Sequence, residues 1–99
     1  MIINASPLII IGKLNKVEIL KKLYDSIEIT QSVYQEVVVN GMKKNSRDAL
    51  IVNEHINNNE IKVFKLDNEF IEKARKIEAI YSIDIGEAET IALALQLNN

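Results

Sequence analysis

The chain has 99 residues, 47% of them hydrophobic and 26% charged, which fits one small folded domain and not a disordered tail. A formal net charge of −2 gives the molecule no overall attraction for nucleic acid, so any such contact must come from a local basic patch. The lack of cysteine excludes disulfides, thiolate nucleophiles and Cys-ligated zinc, and a single histidine is too few for a His-rich metal site. The longest apolar run, Pro7 to Ile11, is far short of a membrane span and no charged leader precedes it, so the expected location is the cytoplasm.

Ile2 and Ile3 open a short apolar run without alternation, as in a strand buried on both faces. Asn4 is its polar tip. Ser6 then reads as a helix N-cap and Pro7 as the first helical position, with a short helix over Leu8 to Gly12. Asn15, with Glu18 three residues on, reads as the cap of a second helix that has Val17, Leu20, Leu23 and Tyr24 on one side. Ser26 to Thr30 alternates and predicts a second strand. Thr30 can cap a helix to about Asn40, stopped by Gly41, although the β-branched run Val37-Val38-Val39 weakens it.

Met42 to Asn45 reads as a loop, and Ser46 opens a helix with Ala49, Val52 and Ile56 facing inward, closed by Asn57-Asn58-Asn59. Ile61 to Phe64 is a third strand. Asp67 or Asn68 then caps a helix with Phe70, Ala74, Ile77 and Tyr81 on one face and i,i+4 pairs Glu69–Lys73 and Glu72–Lys76 outside. Asp84-Ile85-Gly86-Glu87 leads into a last helix, Ala88 to Leu97, apolar almost all round and so expected to be buried on more than one side.

Strands alternating with helices imply an α/β fold: a parallel sheet with helices on both faces and right-handed crossovers. Three short strands make a thin sheet. The final helix ends at Asn98-Asn99 with nothing to return to, so the chain reads as cut off just before a strand.

Asn4, Glu36 and Glu87 share one context, polar groups at a strand end or near a helix start in apolar surroundings. Glu36 borders a buried face beside Val37, where a carboxylate needs a partner or must reach solvent. Asp84 and Glu87 are explained without any function as a helix N-terminal box. Yet Thr90, Ile91 and Ala94 would put Glu87 on a buried stripe facing the opening strand. Carboxylates gathered in one crevice suit hard divalent cations, which keep several waters and need only one or two protein carboxylates. Lys43, Lys44 and Arg47 form a basic cluster that is either a solvated loop or a phosphate contact. His55 has no second ligand in range and is assigned no catalytic role.

Three stretches together resemble the successive motifs of PIN-domain proteins: Ile3-Asn4-Ala5-Ser6-Pro7-Leu8-Ile9, Val33-Tyr34-Gln35-Glu36-Val37-Val38, and Asp84-Ile85-Gly86-Glu87-Ala88-Glu89-Thr90-Ile91-Ala92-Leu93-Ala94. They occur in the family's order, and the match is nearest to the VapC-like branch with a "GEAE" signature. The resemblance implies a three-layer, PIN-like (Rossmann-like) sheet and a ribonuclease dependent on Mg²⁺ or Mn²⁺, often the toxin of a toxin–antitoxin pair. By motif position Asn4 stands for the first acid, Glu36 for the second and Glu87 for the third. Ser6 matches a small hydroxyl residue near the metal, and Asp84 is a further helper.

Two departures from that pattern matter. Asn4 is neutral where the family often has Asp, and the strand bearing a further Asp, which the family places after the last helix, does not follow here. Residues 1–99 therefore read as one PIN-like domain incomplete at its C-terminus, with weak cation affinity and low activity. Its unpaired strand edge is expected to recruit a second copy or an antitoxin protein. The rival reading is a catalytically silent PIN-like interaction module.

Overall fold

Two four-residue strands, β1 (Ile27–Thr30) and β2 (Ile61–Phe64), pair in parallel in the computed structural model, which describes residues 1–98. Ile27 stands opposite Ile61 and Thr30 opposite Phe64. The opening segment joins the other side of β1 through a single parallel bridge, Ile2 to Glu28. Glu28 N–H donates to Met1 O at 2.8 Å and Ile3 N–H to Glu28 O at 3.1 Å. β1 is therefore central, and the expected three short parallel strands are present, the first reduced to a bridge.

Among the described residues, seven helical segments surround this sheet. They are α1 (Ala5–Lys13), α2 (Val17–Leu23), α3 (Gln31–Tyr34), α4 (Asn40–Lys43), α5 (Arg47–Asn57), α6 (Asn68–Tyr81) and α7 (Ile85–Leu97). A π-helical turn, Gln35–Val39, joins α3 to α4 without a break. One face of the sheet carries a core of Ile3, Leu8, Ile27, Ile29, Val37 and Val52, supplied by α1, α5 and the π-turn. The opposite face is covered by α6 and α7 through Phe70, Ala74, Ala88, Ala92 and Leu93, against Ile2 and Phe64. Helices thus lie on both faces of a parallel sheet, the three-layer α/β arrangement expected. No helix among the described residues is long and apolar enough to cross a membrane.

Several caps differ from the expectation, each for a stated reason. α1 starts at Ala5, and Asn4 is its N-cap, accepting from Ala5 N–H through Oδ1 at 2.9 Å. Ser6 is exposed inside the first turn, and Pro7 sits where helical N–H groups lack partners anyway. Asn15 does not start α2; its φ of 53° makes it the left-handed residue that closes α1, with Lys16 N–H bonded to Ile11 O and Asn15 N–H to Gly12 O. Asn45 (φ 57°) and Asn59 (φ 62°) close α4 and α5 by the same pair of bonds. Asparagine here does the work glycine usually does at helix ends.

Gly41 does not stop a helix. It lies within α4, where an added Cβ would come 2.7 Å from Ala49 Cβ, so the missing side chain lets α4 dock on α5. Gly12 plays a similar part in α1, with Asp48 Cβ at 3.2 Å and Val52 Cγ2 at 3.3 Å from its would-be Cβ. Thr30 caps α3 as expected, accepting from Val33 N–H at 3.1 Å.

Some expected core positions face water. Leu23, Tyr24 and Tyr81 are exposed, and in α7 Ile91, Leu95 and Leu97 are exposed too, so α7 buries one side only. Of the two surface pairs on α6, Glu69–Lys73 forms at 3.5 Å, while Glu72 pairs with Arg75 at 3.0 Å instead of Lys76. The last residue, Asn99, lies outside the described residues.

Candidate functional site

Parallel register sets which residues share the carboxyl edge of the sheet. Ile2 is level with Glu28 and Glu28 with Lys62; Thr30 stands opposite Phe64 at the carboxyl end of the sheet, and Asn4 follows the bridge at the same end. In open α/β sheets this is where ligand-binding groups gather. Two helices begin here directly: Asn4 caps α1 and Thr30 caps α3.

α7 is tied to the chain leaving both strands. Ser32 Oγ, just beyond β1, donates to Glu89 Oε1 at 2.6 Å. Two turns later, Gln96 accepts from Asp67 N–H at 2.9 Å and donates to Lys65 O at 3.2 Å, both just beyond β2. Thr30, Ser32, Lys65, Leu66 and Glu89 line a crevice at this edge. The inward positions of α7 are Ala88, Ala92 and Leu93, flanked by Glu89 and Gln96. Of the expected stripe, Thr90 and Ala94 are partly buried while Glu87 and Ile91 face solvent, because a helix apolar nearly all round has no periodicity to mark its buried side. Glu87 is exposed, and Asp84 caps α7 by accepting from Gly86 N–H at 2.9 Å.

Glu36 sits in the π-turn. There Asn40 N–H reaches back to Gln35 O, and the wider turn lets the neighbours Val37 and Val38 both be buried while Glu36 stays exposed. The β-branched run that weakened the helix in sequence is the stretch that departs from α-geometry. Glu36 lines a cleft between α1 and the α4–α5 junction with Lys13, Lys44 and Asp48. Arg47 and Lys13 line an adjoining cleft on the other side of Asp48. Lys43, Lys44 and Arg47 are all exposed. Glu36 and Glu89 thus line different cavities, and Glu87 lines neither.

Two residues passed over in the sequence emerge from this geometry. Glu89 is the acid of the Gly86-to-Glu89 stretch that reaches another element. Asp48 is a carboxylate only 6% exposed in the first turn of α5. Only Glu89 carried a signal, its place beside Ala88 and Ala92 on a potential small-residue face.

The oxygen donors are of the kind that hard divalent cations accept. Their arrangement does not make a cage for one: among the described residues no three His, Cys, Asp or Glu side chains gather, and one lone pair of Asn4 Oδ1 is engaged by Ala5 N–H.

No curated protein and no solved structure matches the chain. A family model does match, that of DUF3368, described as a PIN domain, and it spans residues 1–99. PIN domains are in general nuclease-like, bind RNA and use divalent metals. With its parallel strands, its two helical layers and a family match along its whole length, the chain belongs to the PIN-domain family.

Proposed function

We propose that this chain hydrolyses phosphodiester bonds of unstructured RNA, weakly, with Asn4, Glu36 and a carboxylate from Glu87 or Glu89 as its working groups. The observation that carries the reading is the carboxyl edge of the sheet in a PIN domain, where Asn4 caps α1, Thr30 caps α3 and Glu89 of α7 is bonded to Ser32. In this reading Ser6 and Asp84 are helpers at the starts of α1 and α7, and Lys43, Lys44 and Arg47 contact phosphates. Low activity is expected because position 4 carries a neutral amide and the carboxylates at 36, 87 and 89 do not gather in one cavity. The same proposal makes the chain cytoplasmic and the toxin of a VapC-like pair, held by an antitoxin protein or a second copy along the free edge of the Ile2 segment.

The test is cleavage of a labelled, unstructured RNA with Mn²⁺ or Mg²⁺. Cleavage abolished by chelation, and slowed at least about tenfold by Glu36→Gln, supports the reading. Cleavage that survives Glu36→Gln, Glu87→Gln and Glu89→Gln together overturns it.

A further inference from the structure

Asp48 presents a problem that the proposed nuclease site does not solve. The residue is only 6% exposed, and among the described residues its carboxylate has no hydrogen-bond or ion-pair partner, although its oxygens still touch solvent. A first-turn position favours its charge through the helix dipole but supplies no hydrogen-bond donor to the carboxylate. The carboxylate reaches the outside through the two clefts that it helps to line. Gly12 in α1 leaves it just enough room, since a methyl there would press on Asp48 Cβ at 3.2 Å.

The rim of those clefts has the opposite charge. Lys13 borders both, Arg47 one and Lys44 the other. All three are exposed, and among the described residues none is in an ion pair. A ligand for this place therefore carries anions spaced to meet three separate cations, together with a hydrogen-bond donor that reaches an acceptor on the floor. A single phosphate is too small to meet three separate cations and would be repelled by the carboxylate. A ribonucleotide strand has both, in its phosphates and its 2′-hydroxyls. DNA has the phosphates and lacks the hydroxyl.

We propose that Asp48 is the ribose-reading residue of a groove for single-stranded RNA, with Lys13, Lys44 and Arg47 carrying the phosphates. The inference rests on the RNA reading above and adds to it how RNA is told from DNA. Glu36 on the cleft wall connects the groove to the proposed chemistry.

The experiment is fluorescence anisotropy of the full chain with a labelled ten-nucleotide unstructured RNA. The same sequence is tested as DNA and as 2′-fluoro RNA, all in EDTA so that no cleavage intervenes. The wild type is expected to bind RNA about tenfold more tightly than either analogue, the size of one hydrogen bond to a charged group. Asp48→Asn should tighten DNA binding by removing a repulsive charge and bring the RNA-to-DNA ratio close to one, a change that a purely structural role would not cause. The triple variant Lys13→Ala, Lys44→Ala, Arg47→Ala should weaken binding to all three strands and flatten the salt dependence by about 2 in log–log slope. Equal affinity of the wild type for RNA, DNA and 2′-fluoro RNA overturns the role of Asp48, with no variant required. An unchanged salt slope in the triple variant overturns the groove. RNA that is held with this selectivity but never cut sinks the nuclease reading alone.

Discussion

Gly41 gives the sharpest test of how the helix carrying Glu36 is held. In an exposed helix interior, Gly→Ala stabilises by about 0.5–1 kcal/mol. At Gly41 the new methyl would lie 2.7 Å from Ala49 Cβ, against an ordinary carbon contact of about 3.5–4 Å. Ala49 is fully buried on α5 and cannot turn aside, so the backbones must part, and overpacking of this kind costs about 1–3 kcal/mol. The clash wins: Gly41→Ala should lose about 1 kcal/mol and lower Tm by about 4–8 °C. Gly86→Ala is the control. Its methyl would meet only Asp84 Oδ1 at 3.7 Å, so it should gain about 0.5 kcal/mol. Adding Ala49→Gly to Gly41→Ala should recover part of the loss, a positive coupling between contacting positions. The assay is urea unfolding of all four proteins, and the reasoning is refuted if Gly41→Ala and Gly86→Ala shift stability in the same direction.

Other expectations follow from single contacts. Asn45, at φ 57°, should lose about 1 kcal/mol as Asn45→Ala and nothing as Asn45→Gly in the same denaturation assay. Thr90 Oγ1 is buried without a partner, so Thr90→Val should be neutral or stabilise by about 1 kcal/mol in thermal unfolding. Glu28 holds Ser26 Oγ at 2.7 Å and the Met1 ammonium at 3.1 Å in a half-buried position, so Glu28→Ala should cost about 1–2 kcal/mol in urea unfolding. The exposed bond from Ser32 to Glu89 should contribute less than about 0.5 kcal/mol, so Ser32→Ala should leave Tm nearly unchanged.

The α/β alternation, the second and third strands and the cap at Thr30 were legible because they rest on local chemistry: alternation, β-branching and a hydroxyl at a strand end. The helix ends were not. Asn15 and Gly41 have two common uses each, and the choice lies in distant neighbours: Asn15 closes a helix, and Gly41 admits Ala49. The candidate site was legible only where it rests on order along the chain. That order is what singles out Asn4 and Glu36 as candidates, whereas the inward face of α7 depends on Ser32 and on the loop after β2, neither near in sequence. Asp48 was passed over because an acid in a first turn is ordinary, and only packing against Gly12 buries it.

The initial rate of Mn²⁺-supported cleavage of unstructured RNA tests most directly whether the carboxyl edge of the sheet is where this PIN domain works. Asn4→Ala and Glu89→Gln should each slow it at least about tenfold, while Glu54→Gln, on the exposed side of α5, should match the wild type. Equal rates in all four proteins would contradict the account.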